Sequence, residues 1–144
     1  MKNKNVSKRV LFGMGLGLLA GLLCFMGFSS NPNMPAEMAK WQEWSFGNAM
    51  MWSTIFNRFA IGVVVGIAGF LTVHPLFGFK LPVFLRGACI GVLLSLSMAF
   101  GALLSEGETA CQAFWLILIA GLFIGMVIDL IITKIAGQGS ALNK

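Results

Sequence analysis

Four apolar runs, each about twenty residues long, take up most of this 144-residue chain and leave few folds open to it. As helices they rise about 30 Å, which matches the hydrocarbon thickness of a bilayer. They lie at about residues 10–28, 51–73, 83–105 and 112–134. Composition agrees with a lipid setting. Apolar residues make up 58% and charged residues 10%, against about 25% charged in ordinary globular chains. No stretch is left for a separate soluble domain. The sequence therefore predicts an all-α integral membrane protein, one domain over residues 1–144, built as a four-transmembrane-helix bundle.

The last run, Ala113 to Thr133, is the most informative because it carries an acid, Asp129. Its thirteen Leu, Ile, Val and Phe residues each favour insertion by about 0.3–0.6 kcal/mol, which outweighs the roughly 2.5–3.5 kcal/mol that a central Asp costs. Gly121, Gly125, Asp129 and Thr133 fall at steps of four, so on a helix the acid shares a stripe with the glycines. The same spacing recurs at Gly13, Gly17 and Gly21, at Arg58, Gly62 and Gly66, and at Gly87, Gly91, Ser95 and Ala99, with Arg86 beside the last stripe. Small residues at this spacing let helix backbones approach closely in lipid. These nine glycines are the expected packing faces.

Lys2, Lys4, Lys8 and Arg9 precede the first run. A basic segment before an apolar one also describes a signal peptide, with Gly27-Phe28-Ser29 as a tolerable cleavage site. The run is longer than the usual 7–15 residue core of such peptides, which favours a retained helix. Gly15 to Ala20 formally matches a dinucleotide fingerprint, but no strand or βαβ unit surrounds it. Cys24, Cys89 and Cys111 form no CxxC pair, and they read as small packing residues.

Between the first two runs, Asn31-Pro32-Asn33 predicts a turn and Pro35 a helix start. Over residues 35–46, Met34, Met38, Trp41 and Ser45 share one side while Glu37, Lys40 and Glu43 take another. This pattern predicts a short amphipathic helix lying in the membrane interface, ended by Gly47-Asn48; the alternative is an ordered loop that caps the bundle. His74-Pro75 closes the second run, Leu76–Leu81 is a tight link, and Glu106–Thr109 turns the chain into the fourth run. Residues 137–144 read as a mobile polar tail. Runs two and three share a phrase, Ile61–Gly66 against Ile90–Ser95, for which an inverted repeat competes with chance.

Eight of the ten basic residues fall on the side of the termini, and Lys40, Arg58 and four glutamates on the other. The positive-inside rule then places both termini in the cytoplasm of a cell whose inner membrane holds the chain. All four tryptophans lie at the opposite ends of the runs, as an aromatic belt would. Basic residues at run ends also argue against nucleic acid as a partner. The bilayer is the expected partner, with a second copy or another membrane protein beside it.

Ionisable residues inside lipid are functional candidates because they are costly there. Three qualify: Arg58, Arg86 and Asp129. Counted at 1.5 Å per residue, Arg86 and Asp129 lie close in depth and Arg58 farther out. The reading is an Arg86–Asp129 pair, with Arg58 reaching towards Glu106. Such a pair acts as a proton- or ion-responsive gate or, more simply, fixes helix register; alternatively Arg86 snorkels to headgroups. No nucleophile–base set, metal-ligand spacing or cofactor motif accompanies them. The expected role is a non-enzymatic structural or accessory component. The rival is a small channel or ion-coupled transporter using Asp129 and Arg58.

Overall fold

The computed structural model describes residues 4–32, 36–73, 78–104, 109–139 and 142, apart from the side chains of 4 and 36–38. It is all-helical in its regular elements. Helix α1 runs Lys4–Ser29, α2 Ala49–Ile67, α3 Val83–Leu103 and α4 Ala110–Ala136, each followed antiparallel by the next. All four are long and apolar enough to cross a membrane. The bundle has a basic end, where Lys8, Lys80 and Lys134 are exposed, and a tryptophan end at the opposite helix termini.

Each end of each helix has an identifiable cause. The side chain of Asn48 starts α2, accepting from the backbone N–H of Met50 at 3.0 Å and of Met51 at 3.4 Å. That satisfies donors with no partner inside the helix. Its amide donates back to the carbonyls of Trp41 and Glu43. Asn48 thus opens the second span more than it closes the segment before it. At the other end α2 tightens into a 3-10 turn, Ala68–Phe70, three residues short of the expected Val73. The chain then extends, and Val73 pairs with Lys80 across the link. His74, Pro75 and residues 105–108 lie outside the described residues.

The segment between α1 and α2 is a 3-10 helix, Ala36–Gln42, shorter than the helix expected over 35–46. Its hydrogen bonds explain the shortening. Gln42 donates to the carbonyls of Phe28 at 2.9 Å and Asn31 at 3.0 Å, and the Trp44 indole donates to the Ser29 hydroxyl at 3.1 Å. The Trp44 ring stands edge-on to Phe25 with centroids 4.8 Å apart. These ties fold the segment across the end of α1.

The four helices form two hairpins. In the first, Gly13, Gly17 and Gly21 of α1 meet the α2 backbone at Gly62, Arg58 and Ile55. In the second, Gly87 and Gly91 of α3 meet Gly125 and Gly121 of α4. A β-carbon on Gly62 would overlap the Gly13 carbonyl, and one on Gly125 would overlap that of Gly87. The hairpins match in register: α1 corresponds to α3 and α2 to α4. Phe59-Ala-Ile-Gly-Val-Val-Val-Gly66 then lines up with Leu122-Phe-Ile-Gly-Met-Val-Ile-Asp129. This correspondence of α2 with α4 is distinct from the phrase common to runs two and three. Between the hairpins, α2 packs on α3 and α4, and α1 on α4.

Outward faces are apolar throughout, with Leu11, Leu93, Phe100, Leu116 and Phe123 all largely exposed. Cys89 and Cys111 also point outward as free thiols; only Cys24 is half-buried, so the packing role expected of all three does not hold. The described residues of the tail are likewise packed. Leu142 is fully buried and Gly139 lies against Thr72.

Gly125→Leu should cost about 3 kcal/mol, near the top of the usual range for overpacking, because backbone stands where the side chain must go. Gly15→Leu, with nothing within 4 Å of a new β-carbon, should leave stability unchanged or raised. Thermal unfolding of both variants in detergent separates them; equal midpoints would show that the close approach is incidental.

Candidate functional site

Asp129 continues the Gly121–Gly125 stripe of α4 and is fully buried. Arg86, from the first turn of α3, clamps its carboxylate side-on: Nε donates to Oδ2 and Nη2 to Oδ1, both at 2.8 Å. Fork-on-carboxylate pairing of this kind is among the stronger charged hydrogen bonds. A second guanidinium, that of Arg9 on α1, donates from Nη2 to the same Oδ1. Thr133, one turn beyond, donates its hydroxyl to Oδ1 at 3.3 Å and accepts from Arg9 Nη1 at 3.0 Å.

The remaining arginine protons find carbonyls that the helices leave open. Arg9 Nε donates to Gly66 O at 3.2 Å and Nη1 to Gly137 O at 2.6 Å. Arg86 Nη1 donates to Leu71 O at 2.9 Å. Helix ends have carbonyls without intrahelical partners, and the two arginines cap the end of α2 and the turn after α4. Gly69 makes this fit: a β-carbon there would collide with the Arg9 guanidinium. Gly137 turns the chain with φ of 78°, a left-handed conformation suited to glycine. Each helix thus contributes to one polar cluster, with two cations around a single anion.

Arg58 forms a separate group nearer the tryptophan end. It is 3% exposed. Nη1 donates to Ser95 Oγ at 2.7 Å and Asn57 Oδ1 at 3.2 Å, and Nη2 reaches Ile117 O at 3.5 Å. Asn57 in turn donates to Leu94 O at 2.9 Å. Glu106, the partner expected for Arg58, lies outside the described residues.

The structure brings Arg86 and Asp129 together and keeps Arg58 apart from both. Arg9 was not among the residues singled out in the sequence, where it reads as a flanking charge. A signal was present, since Arg9 stands four residues before Gly13 on the same stripe. The helix simply begins six residues earlier than its apolar run. Gly69 carried no such signal. Among the described residues no group of His, Cys, Asp or Glu could hold a metal ion.

Removing Asp129 strands two buried cations, whereas removing either arginine leaves a pair. Asp129→Asn should therefore cost about 3–5 kcal/mol, the range for breaking a buried pair, and Arg9→Gln or Arg86→Gln less. Combining Arg86→Gln with Asp129→Asn should recover about 0.5–3 kcal/mol relative to additivity. Denaturation of the four-protein cycle in detergent checks this, and strict additivity would mean that the contact carries no energy.

No known protein family, curated protein or solved structure matches this chain.

Proposed function

We propose that this chain is a multi-pass protein of a prokaryotic inner membrane with a non-enzymatic, structural or accessory role. In this reading its four spans are locked into one rigid body that other membrane components or a second copy can dock against. One observation carries it. Between the Arg9–Asp129–Arg86 cluster and Arg58 the interior is filled by Ile61, Val65 and Ile128, with Leu16, Ile90, Leu94 and Ile124 packed against them. A permeation path through Asp129 and Arg58 needs polar groups or water across that interval, and the side chains there supply neither. The carboxylate is also engaged on both oxygens by guanidinium groups. Breaking such a set costs several kcal/mol, a poor basis for a group that must load and release an ion each cycle.

Orientation follows from charge. With Lys8, Lys80 and Lys134 exposed at one end and the tryptophans at the other, the basic end faces the cytoplasm under the positive-inside rule. The segment around Trp41 and Trp44 then lies at the outer interface, where such rings are favoured.

Two measurements bear on these readings. Reconstituted in liposomes under a pH or potassium gradient, the protein should give a leak no greater than that of protein-free vesicles. A flux lost in Asp129→Asn would overturn the structural role and restore the transporter. A single cysteine introduced at Lys80, with the native cysteines replaced, should resist an impermeant thiol reagent in whole cells and react after permeabilisation. Reaction in intact cells would reverse the orientation.

A further inference from the structure

Arg58 and Arg86 are buried to the same degree, each 3% exposed, and are anchored alike. In Arg86, Nη1 is tied to a backbone carbonyl while the Nε–Nη2 edge holds the two oxygens of Asp129. In Arg58, Nη1 is tied to Ser95 and Asn57, and among the described residues the same Nε–Nη2 edge has no good occupant. There Nε is buried without a hydrogen-bond partner, and Nη2 makes a single 3.5 Å contact, with Ile117 O. That edge is the geometry that recognises carboxylates and other oxyanions bidentately.

Charge points the same way. The acceptors around Arg58 among the described residues are a hydroxyl, an amide oxygen and a carbonyl, all neutral. Guanidinium groups do not shed their proton in proteins, so burial leaves a cation to be compensated, at a cost of several kcal/mol if it is not. We propose that the Nε–Nη2 edge of Arg58 is a binding site for a small soluble oxyanion of carboxylate or nitrate type, held in the outer half of the bundle with Asn57 and Ser95 fixing the guanidinium.

A cleft opens toward the tryptophan end, above the site. Ser53 stands one turn above Asn57 on the same face of α2 and lines an open cleft of about 700 Å³, with Lys40, Glu43 and Asn48 around it. Arg58 lies nine residues into α2, about 13 Å along the helix axis at 1.5 Å per residue. A lipid phosphate at headgroup depth does not reach that far, which selects a free anion as the occupant. The ligand enters as the Ile117 contact, the weakest one on this edge, gives way. The site is independent of the structural role proposed above, since it asks only for binding and not for passage.

The test is thermal unfolding of the full chain in detergent, titrated with sodium acetate, nitrate or chloride at matched ionic strength. A ligand that binds the folded state raises the midpoint with the logarithm of its concentration, by on the order of 5 °C well above its dissociation constant. Acetate and nitrate should do so and chloride should do so far less, because a single atom cannot span the fork. Arg58→Lys, which keeps the charge without the fork, should weaken the acetate response at least tenfold in concentration. Equal responses to acetate and chloride, no response to either, or an undiminished response in Arg58→Lys would each overturn the site. If Arg58→Lys does not fold, the anion series on the unaltered protein decides alone. Native mass spectrometry gives a further arm: an acidic lipid that co-purifies with the unaltered chain, is lost in Arg58→Lys and resists displacement by acetate would reassign the edge to lipid and overturn a soluble ligand.

Discussion

The carboxylate of Asp129 is the point on which the bundle depends. A single buried anion is shared by guanidinium groups from α1 and α3, and those groups reach on to carbonyls in the last turn of α2 and just beyond α2 and α4. Apolar packing alone would leave the relative heights of four greasy helices weakly determined, because sliding one helix by a turn exchanges one leucine for another. The ionic cluster removes that freedom. Its hydrogen bonds have fixed lengths and directions, so they specify register where the apolar surface cannot. Buried ion pairs contribute little net stability compared with well-packed apolar groups; the directed bonds of this cluster suit it to specifying register, and the glycines supply the closeness.

Glycine does two different things here. Along the four stripes it lets backbone touch backbone, which forms each hairpin and leaves the larger side chains free to face outward. At Gly69 it clears a volume for the shaft and head of Arg9. The two uses are coupled, since α1 can bring Arg9 to Asp129 only if Gly13 and Gly17 have already drawn it flush against α2. The matching register of the two hairpins suits this arrangement. The same zipper appears twice, and the second copy has an acid where the first has Gly66.

Much of this was legible in the sequence, because steps of four are a direct imprint of helix geometry. The spans, the glycine faces and the placement of Asp129 among them all follow from spacing. What was not legible has physical reasons. Arg9 is hidden because charge at the edge of an apolar run looks the same whether it faces headgroups or a buried partner 120 residues away. The 3-10 form of Ala36–Gln42 depends on where Phe28 and Asn31 offer their carbonyls, which is a tertiary fact. The docking of Leu142 could not be read from a tail whose composition is polar. Arg58 was visible as a costly residue, but its neutral surroundings became apparent only once Ser95 and Ile117 were brought beside it.

The separation of Arg9 from Asp129 has a consequence for biogenesis. The chain is made from the N-terminus, so the first hairpin is complete while its arginine still lacks an anion, and α3 then adds a second. Only α4 carries the carboxylate that both contact. Until α4 is made, Arg9 and Arg86 lack the anion that they share. The first hairpin can already be zipped along its glycines, but Arg9 has no buried anion to meet until Asp129 is in place. Because α4 carries the shared anion, the contacts of both arginines with Asp129 can form only after α4 is made. A chain truncated before Asp129 would keep three of the four long helices and lose the anion that joins the two hairpins.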